Sequence, residues 1–230
     1  MQRHFDEELA DLNKEILRMG GLTEESILKS VEALKARSAE QAEQVITDDK
    51  KIDELELAID EKCLDLLALH QPMAIDLRFV TMAMKISTDL ERIADLAVDI
   101  AQRVLQLADK PQLKPLIDIP KLAALAQTMV KEAIDAFVRK DVELARKVIL
   151  RDSEADNLRN LVQSELINDY IAKDPSTAPR AVALLLVARH LERICDHTTN
   201  ICEDVIFMVE GKVVKHHLEI LHEKQNGGSK

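Results

Sequence analysis

The hexapeptide Leu90-Glu91-Arg92-Ile93-Ala94-Asp95 returns about a hundred residues later as Leu191-Glu192-Arg193-Ile194-Cys195-Asp196, identical at five of its six positions. Self-similarity at a long period decides the architecture before any local pattern does. The two stretches around it also share an apolar rhythm. One carries Phe79, Ala83, Ile86, Leu90, Ile93, Ala97, Ile100, Val104 and Leu107. The other carries Leu184, Val187, Leu191, Ile194, Thr198, Ile201, Val205 and Met208. Steps of three and four alternate in both, which is the seam of helices packed nearly parallel or antiparallel. The chain must therefore fold as two related helical halves.

Composition agrees. Hydrophobic residues make up 47%, enough for a core, while aromatics are 2% and Gly and Pro number only five and six. That is helical rather than turn-rich β composition. Six long helices are expected, three per half, over about 5–37, 38–69, 74–108, 120–139, 141–173 and 179–210. Gly20-Gly21 could break the first. Ser38 with Gln41, and Asp141, are helix-start signals, and Gly211 is a stop. Pro111, Pro115 and Pro120 mark the one obvious linker. The expected fold is all-α: two tandem, pseudo-symmetric three-helix bundles over 1–110 and 118–212, with a flexible tail over 213–230.

Glu91 and Asp95 lie four residues apart, so both leave one face of the helix. Glu192 and Asp196 repeat them. Asp49 and Asp53 after Val45-Ile46 match Asp152 and Asp156 after Val148-Ile149. Asp99 extends the first row by a turn, where the second half has Asn200. Counted from the seam, these acids should point outward. Carboxylates at i, i+4 repel mildly, and a cation between them reverses the sign. Their oxygens suit magnesium, manganese, calcium or iron, and zinc less selectively. Spacing alone is weak: 42 acids in 230 residues supply about seven or eight such pairs by chance, normally on a solvated face. It is the repetition that singles these out.

Other residues read more plainly. Arg92 and Arg193 repeat too, as stems lying on the surface or partners of nearby acids. Arg78, at a helix start, could bridge chains or helices, but reads first as half of a local salt bridge. His190 and His197 read as surface histidines, Cys195 and Cys202 as small hydrophobes, and Met73, Met82, Met84 and Met129 as core filler. Glu219-x-x-His222, with His216 and His217, could scavenge metal from the tail. A net charge of −11 argues against a sequence-independent nucleic-acid binder. The three cysteines form no C-x-x-C pair and suit a reducing compartment. The start of the chain has no apolar signal core, and the longest apolar run, 181–188, is too short to enter a bilayer. A cytoplasmic protein is expected. There is no Gly-rich phosphate loop, no G-x-S-x-G, and no Glu-x-x-His inside the bundle helices.

Asp89 to Asp95 (Asp-Leu-Glu-Arg-Ile-Ala-Asp) and His190 to Glu203, set in two tandem bundles, resemble the PhoU family. Phe5-Asp6-Glu7-Glu8-Leu9, Asp76-Leu77-Arg78 and Val209-Glu210-Gly211 extend the resemblance over nearly the whole chain. It implies a non-enzymatic cytoplasmic regulator of phosphate uptake. Such a protein acts with the ATPase subunit of a phosphate ABC transporter and a membrane sensor histidine kinase, and represses the starvation response when phosphate is plentiful. It implies a homodimer and no organic cofactor. It also implies metal ions (iron, zinc, manganese or magnesium) on the acidic motifs Glu91/Asp95, Glu192/Asp196, Asp49/Asp53 and Asp152/Asp156, with Asn200 making the second site a poorer one. A carboxylate-metal enzyme or storage protein, and a metal-free helical scaffold, are the competing readings.

Overall fold

The computed structural model describes residues 2–213. The tail residues Glu219, His222, His216 and His217 lie outside them. Among the described residues there is no strand. Helix α1 spans Gln2–Ala36, α2 Ala39–Asp48, α3 Lys50–His70 and α4 Ile75–Leu107. A proline-containing connection leads to α5 (Asp118–Arg139), α6 (Val142–Leu150), α7 (Asp152–Glu165) and α8 (Ala178–Glu210). The two halves are the three-helix bundles expected, but the middle arm of each is broken once.

The breaks have a common geometry. Asp49 separates α2 from α3, and Arg151 separates α6 from α7, while both stay in the right-handed helical region. At each break the hydrogen bonds tighten to i→i−3: Ile52 N–H to the Asp49 carbonyl at 2.8 Å, and Glu154 N–H to Arg151 at 3.0 Å. A tightened turn bends a helix without ending it. Asp49 and Asp152 thus sit at the bends, and Asp53 and Asp156 one turn beyond them.

Gly20-Gly21 does not break α1. A Cβ on Gly20 would lie 3.0 Å from Ile134 Cγ1, so the missing side chain lets α1 lie close to α5, while nothing stands within 4 Å of a Cβ at Gly21. The predicted caps form. Ser38 accepts from Gln41 N–H at 3.2 Å and Asp141 from Leu144 N–H at 3.0 Å. Gly211 closes α8 in the left-handed region.

The repeated helices α4 and α8 lie antiparallel at the centre, so each half packs on the other. The seam residues Ile86, Leu90, Ile93, Leu191, Ile194 and Ile201 have no exposed surface. Their ends fasten crosswise. Arg78, at the start of α4, donates from Nε to the Met208 carbonyl near the end of α8 at 3.1 Å. Arg180, at the start of α8, donates to the Pro111 carbonyl beyond α4 at 3.1 Å. Arg37 donates to Leu107 O at 2.7 Å. Helix ends leave carbonyls without partners, and a guanidinium satisfies them well. Arg78 is therefore a bridge between repeats, not half of a local salt bridge. Met73 is corrected as well: it is 80% exposed at the α3–α4 corner, whereas Met82 and Met129 are core. Among the described residues, no helix is long and apolar enough to cross a membrane.

Candidate functional site

The repeated acids divide: Asp53, Asp156 and Asp196 are exposed, as expected, whereas Glu91, Glu192, Asp49 and Asp152 are half-buried. The side chains of Glu91 and Glu192 are each only 16% exposed. Distance from the seam misleads here because α4 and α8 are covered on several sides: α4 packs against α1, α2, α3 and α8. The face opposite the seam meets the bend of the middle arm. There Glu91 and Asp95 approach Asp49 and Asp53 across a crevice, and Glu192 and Asp196 approach Asp152 and Asp156. Asp99 is not gathered with its row. It lies 3.6 Å from His190 Nδ1 on α8.

Burial and mutual repulsion raise the pKa values of Asp49, Glu91, Asp152, Glu192 and Asp196. Burial, then Asp95, pushes Glu91 up to about 7. Burial, then Asp53 and Asp95, pushes Asp49 up to about 6. In the second crevice burial, then Asp196 and Asp156, pushes Asp152 up to about 6. Glu192 and Asp196 are also raised, mainly by burial.

The crevices differ in one position. Asp49, Asp53 and Glu56 share a face of α3 by their i, i+4, i+7 spacing; Asp152, Asp156 and Arg159 share the matching face of α7. Glu56 adds repulsion to Glu91. Arg159 instead donates from Nη2 to Asp156 at 3.2 Å and Glu192 at 3.1 Å. Both crevices thus have an arginine: Arg159 lies between α7 and α8 in the second, and in the first Arg92 pairs with Glu91 at 3.4 Å and Asp95 at 3.1 Å, with Glu56 as a fifth carboxylate. The seventh-residue spacing was there to be read in the sequence, but Glu56 and Arg159 escape a search for paired acids.

The first donor set is all carboxylate, the chemistry that suits a hard cation. Asp49 Oδ1 and Glu91 Oε2 are buried oxygens with no hydrogen-bond partner, though Glu91 Oε2 lies 3.4 Å from Arg92 Nε; an unsatisfied buried carboxylate is costly. Among the described residues, however, no three His, Cys, Asp or Glu side chains are gathered tightly enough to hold one ion in this arrangement.

The two histidines are not loose surface groups. His197 Nδ1 lies 2.8 Å from Asp89, and His190 contacts Asp99. Both join α4 to α8, and burial lowers the pKa of His190. Cys63, Cys195 and Cys202 are buried. Burial pushes the Cys63 thiol up to about 12 and the other two upward as well, so none offers a thiolate.

An all-helical tandem repeat with an acidic crevice at each bend is the class this geometry defines. Comparison with known proteins gives the family. The model of the PhoU domain matches twice, at residues 16–104 and 119–205. The chain is 40% identical over 220 residues to the phosphate-specific transport system accessory protein PhoU homolog of Aquifex aeolicus, covering 96% of this chain and 97% of that one. A Thermotoga maritima homolog is 36% identical over 229 residues, covering 99% and 97%. The crystal structure of PhoU from Pseudomonas aeruginosa superposes with a TM-score of 0.87 at 37% identity, covering 90% of this chain and 100% of that one. That of the phosphate transport system regulatory protein PhoU from Streptococcus pneumoniae gives 0.85 at 32%, covering 92% and 99%. The chain belongs to the PhoU family.

Proposed function

We propose that the chain is a non-enzymatic cytoplasmic regulator of phosphate uptake, working as an adaptor. It joins the ATPase subunit of a phosphate ABC transporter to a membrane sensor histidine kinase and holds the starvation response off when phosphate is plentiful. It works as a homodimer. One observation carries this reading: the match to accessory proteins of the phosphate-specific transport system runs over 96% of the chain. Two rigid bundles locked end to end by Arg78 and Arg180 suit a part that transmits contact rather than turns over substrate.

Metal belongs to the same proposal. Asp49, Asp53, Glu91 and Asp95 would hold a hard cation, with Glu56 beside them. Once bound, such an ion supplies charge neutralisation and a tie between the α2–α3 bend and α4. Residues 152, 156, 192 and 196 would hold one in the same way, with Arg159 beside them as Arg92 is beside the first set but with no counterpart of the Glu56 carboxylate. Deleting the protein should switch on phosphate-starvation genes in phosphate-rich medium. Unchanged expression would sink the adaptor reading. Elemental analysis of untagged protein beside a Glu91→Ala/Asp95→Ala variant tests the metal independently, since loss of metal from the folded variant is the required result.

A further inference from the structure

We propose that the groove between α7 and α8 docks an acidic amphipathic helix of a partner protein. The inference rests on the adaptor reading and assigns one partner its seat. The groove measures about 830 Å³. Its floor is apolar and open to solvent: Val182 is 46% and Ile167 40% exposed, with Leu185 and Leu186 between them. Helix α7 does not continue unchanged along this wall. At Leu166 it widens into a π-helix over Leu166–Ile171, a geometry frequent at functional sites.

Arg189 and Arg193 line the same groove one helical turn apart. Both are exposed, and among the described residues neither makes a hydrogen bond or an ion pair. Their neighbour Glu192 is engaged by Arg159, and Asp196 attracts Arg193 only at a distance. Two guanidinia at i, i+4 repel each other until carboxylates arrive. In a chain of net charge −11 this is a local reversal of sign.

The duplication shows that the bundle does not require it. Where the second half has Arg159, Gln163, Val182 and Arg189, the first half has Glu56, Asp60, Thr81 and Thr88. Arg193 and Ile167 keep counterparts in Arg92 and Leu64, so the walls differ at those four positions, where the second repeat is the more basic and apolar. A straight groove along α8 accepts the ridge of a second helix, with apolar residues at i, i+3 and i+4 on the floor and acids meeting the arginines.

The test uses the full chain and a labelled helical peptide of about 20 residues, with leucines at helical spacing flanked by glutamates, read by fluorescence anisotropy. Its counterpart has lysine at each glutamate. The acidic peptide should bind and the basic one should not. Arg189→Glu/Arg193→Glu should weaken binding by about tenfold or more, and Val182→Arg should weaken it as well. Leu28→Arg, a change of an exposed leucine on α1, should leave it unaltered and shows that a surface charge alone is harmless. Absent binding, equal binding of both peptides, or unchanged binding to the double arginine variant would overturn the proposal. Arginine-dependent dimers in sedimentation, or arginine-dependent capture by phosphatidylglycerol vesicles, would give the groove to a second copy or to a bilayer and overturn it too. Pull-down with the transporter ATPase subunit and the kinase separates the two readings. Binding that survives in the double variant removes the groove and leaves the adaptor; a groove that holds the peptide while neither protein binds removes the adaptor and leaves the groove.

Discussion

Arg159 donates to Glu192 at 3.1 Å, and the residue in its place in the first repeat is Glu56, which adds to the charge on Glu91. Arg92 pairs with Glu91 and Asp95 in the first crevice, so the exchange of Glu56 for Arg159 changes the balance of charge there by one carboxylate lost and one guanidinium gained. The two repeats share a backbone but not an electrostatic state.

Stability in the absence of metal should therefore fall as the solution becomes alkaline. Glu91 and Asp49 have folded pKa values raised to about 7 and about 6. A carboxyl that holds its proton more tightly when folded favours the fold at low pH, and that contribution is lost as pH rises through the folded value. The window is roughly pH 4 to 7. Glu91→Gln should raise the midpoint of thermal unfolding at pH 8 by the equivalent of about 1 kcal/mol, allowing for solvent screening, and should do little at pH 4. Thermal melts of chelated protein across that range check it.

Exchanging the divergent pair should exchange the behaviour. Glu56→Arg should stabilise chelated protein at pH 8 and abolish any gain from added magnesium or manganese. Arg159→Glu should cost about 1–3 kcal/mol, since it leaves partly buried carboxylates without their cation, and should make the loss recoverable by metal. Melting curves with and without the ion distinguish the four cases.

The two adjacent glycines of α1 should respond in opposite ways. Gly21→Ala meets open space and should stabilise by about 0.5–1 kcal/mol, the helix-propensity gain. Gly20→Leu drives a side chain into Ile134 and should cost about 1–3 kcal/mol. Denaturant unfolding of both variants measures the contrast.

Arg78→Ala should cost about 1–2 kcal/mol, because the Met208 carbonyl loses its donor at the end of α8. Hydrogen exchange should show faster opening of the last turn of α8, with the middle of that helix unaffected.

The sequence announced its helices through their seams and caps. Ser38, Asp141 and Gly211 did in space what their chemistry requires. Asp49 and Arg151 were not legible as bends, because both keep helical dihedrals and neither is Gly or Pro. The acids were legible as a set but not in their setting: a helix wheel sees one seam, and α4 has neighbours on several sides. His190 and His197 looked loose for a similar reason. Their partners Asp99 and Asp89 lie on the other repeat, about a hundred residues away, and no local pattern links them. Glu56 and Arg159 carry an electrostatic difference between the repeats, yet they look like ordinary charged surface until the crevice is seen.

The antiparallel pairing of α4 with α8 has one more consequence. Each repeat finds its counterpart on the same polypeptide, so the meeting of the halves is unimolecular and dilution cannot part them. A symmetric pair of separate chains must carry every mutation twice. Here one half can drift toward a new ligand while the other keeps the old one, and the molecule stays whole.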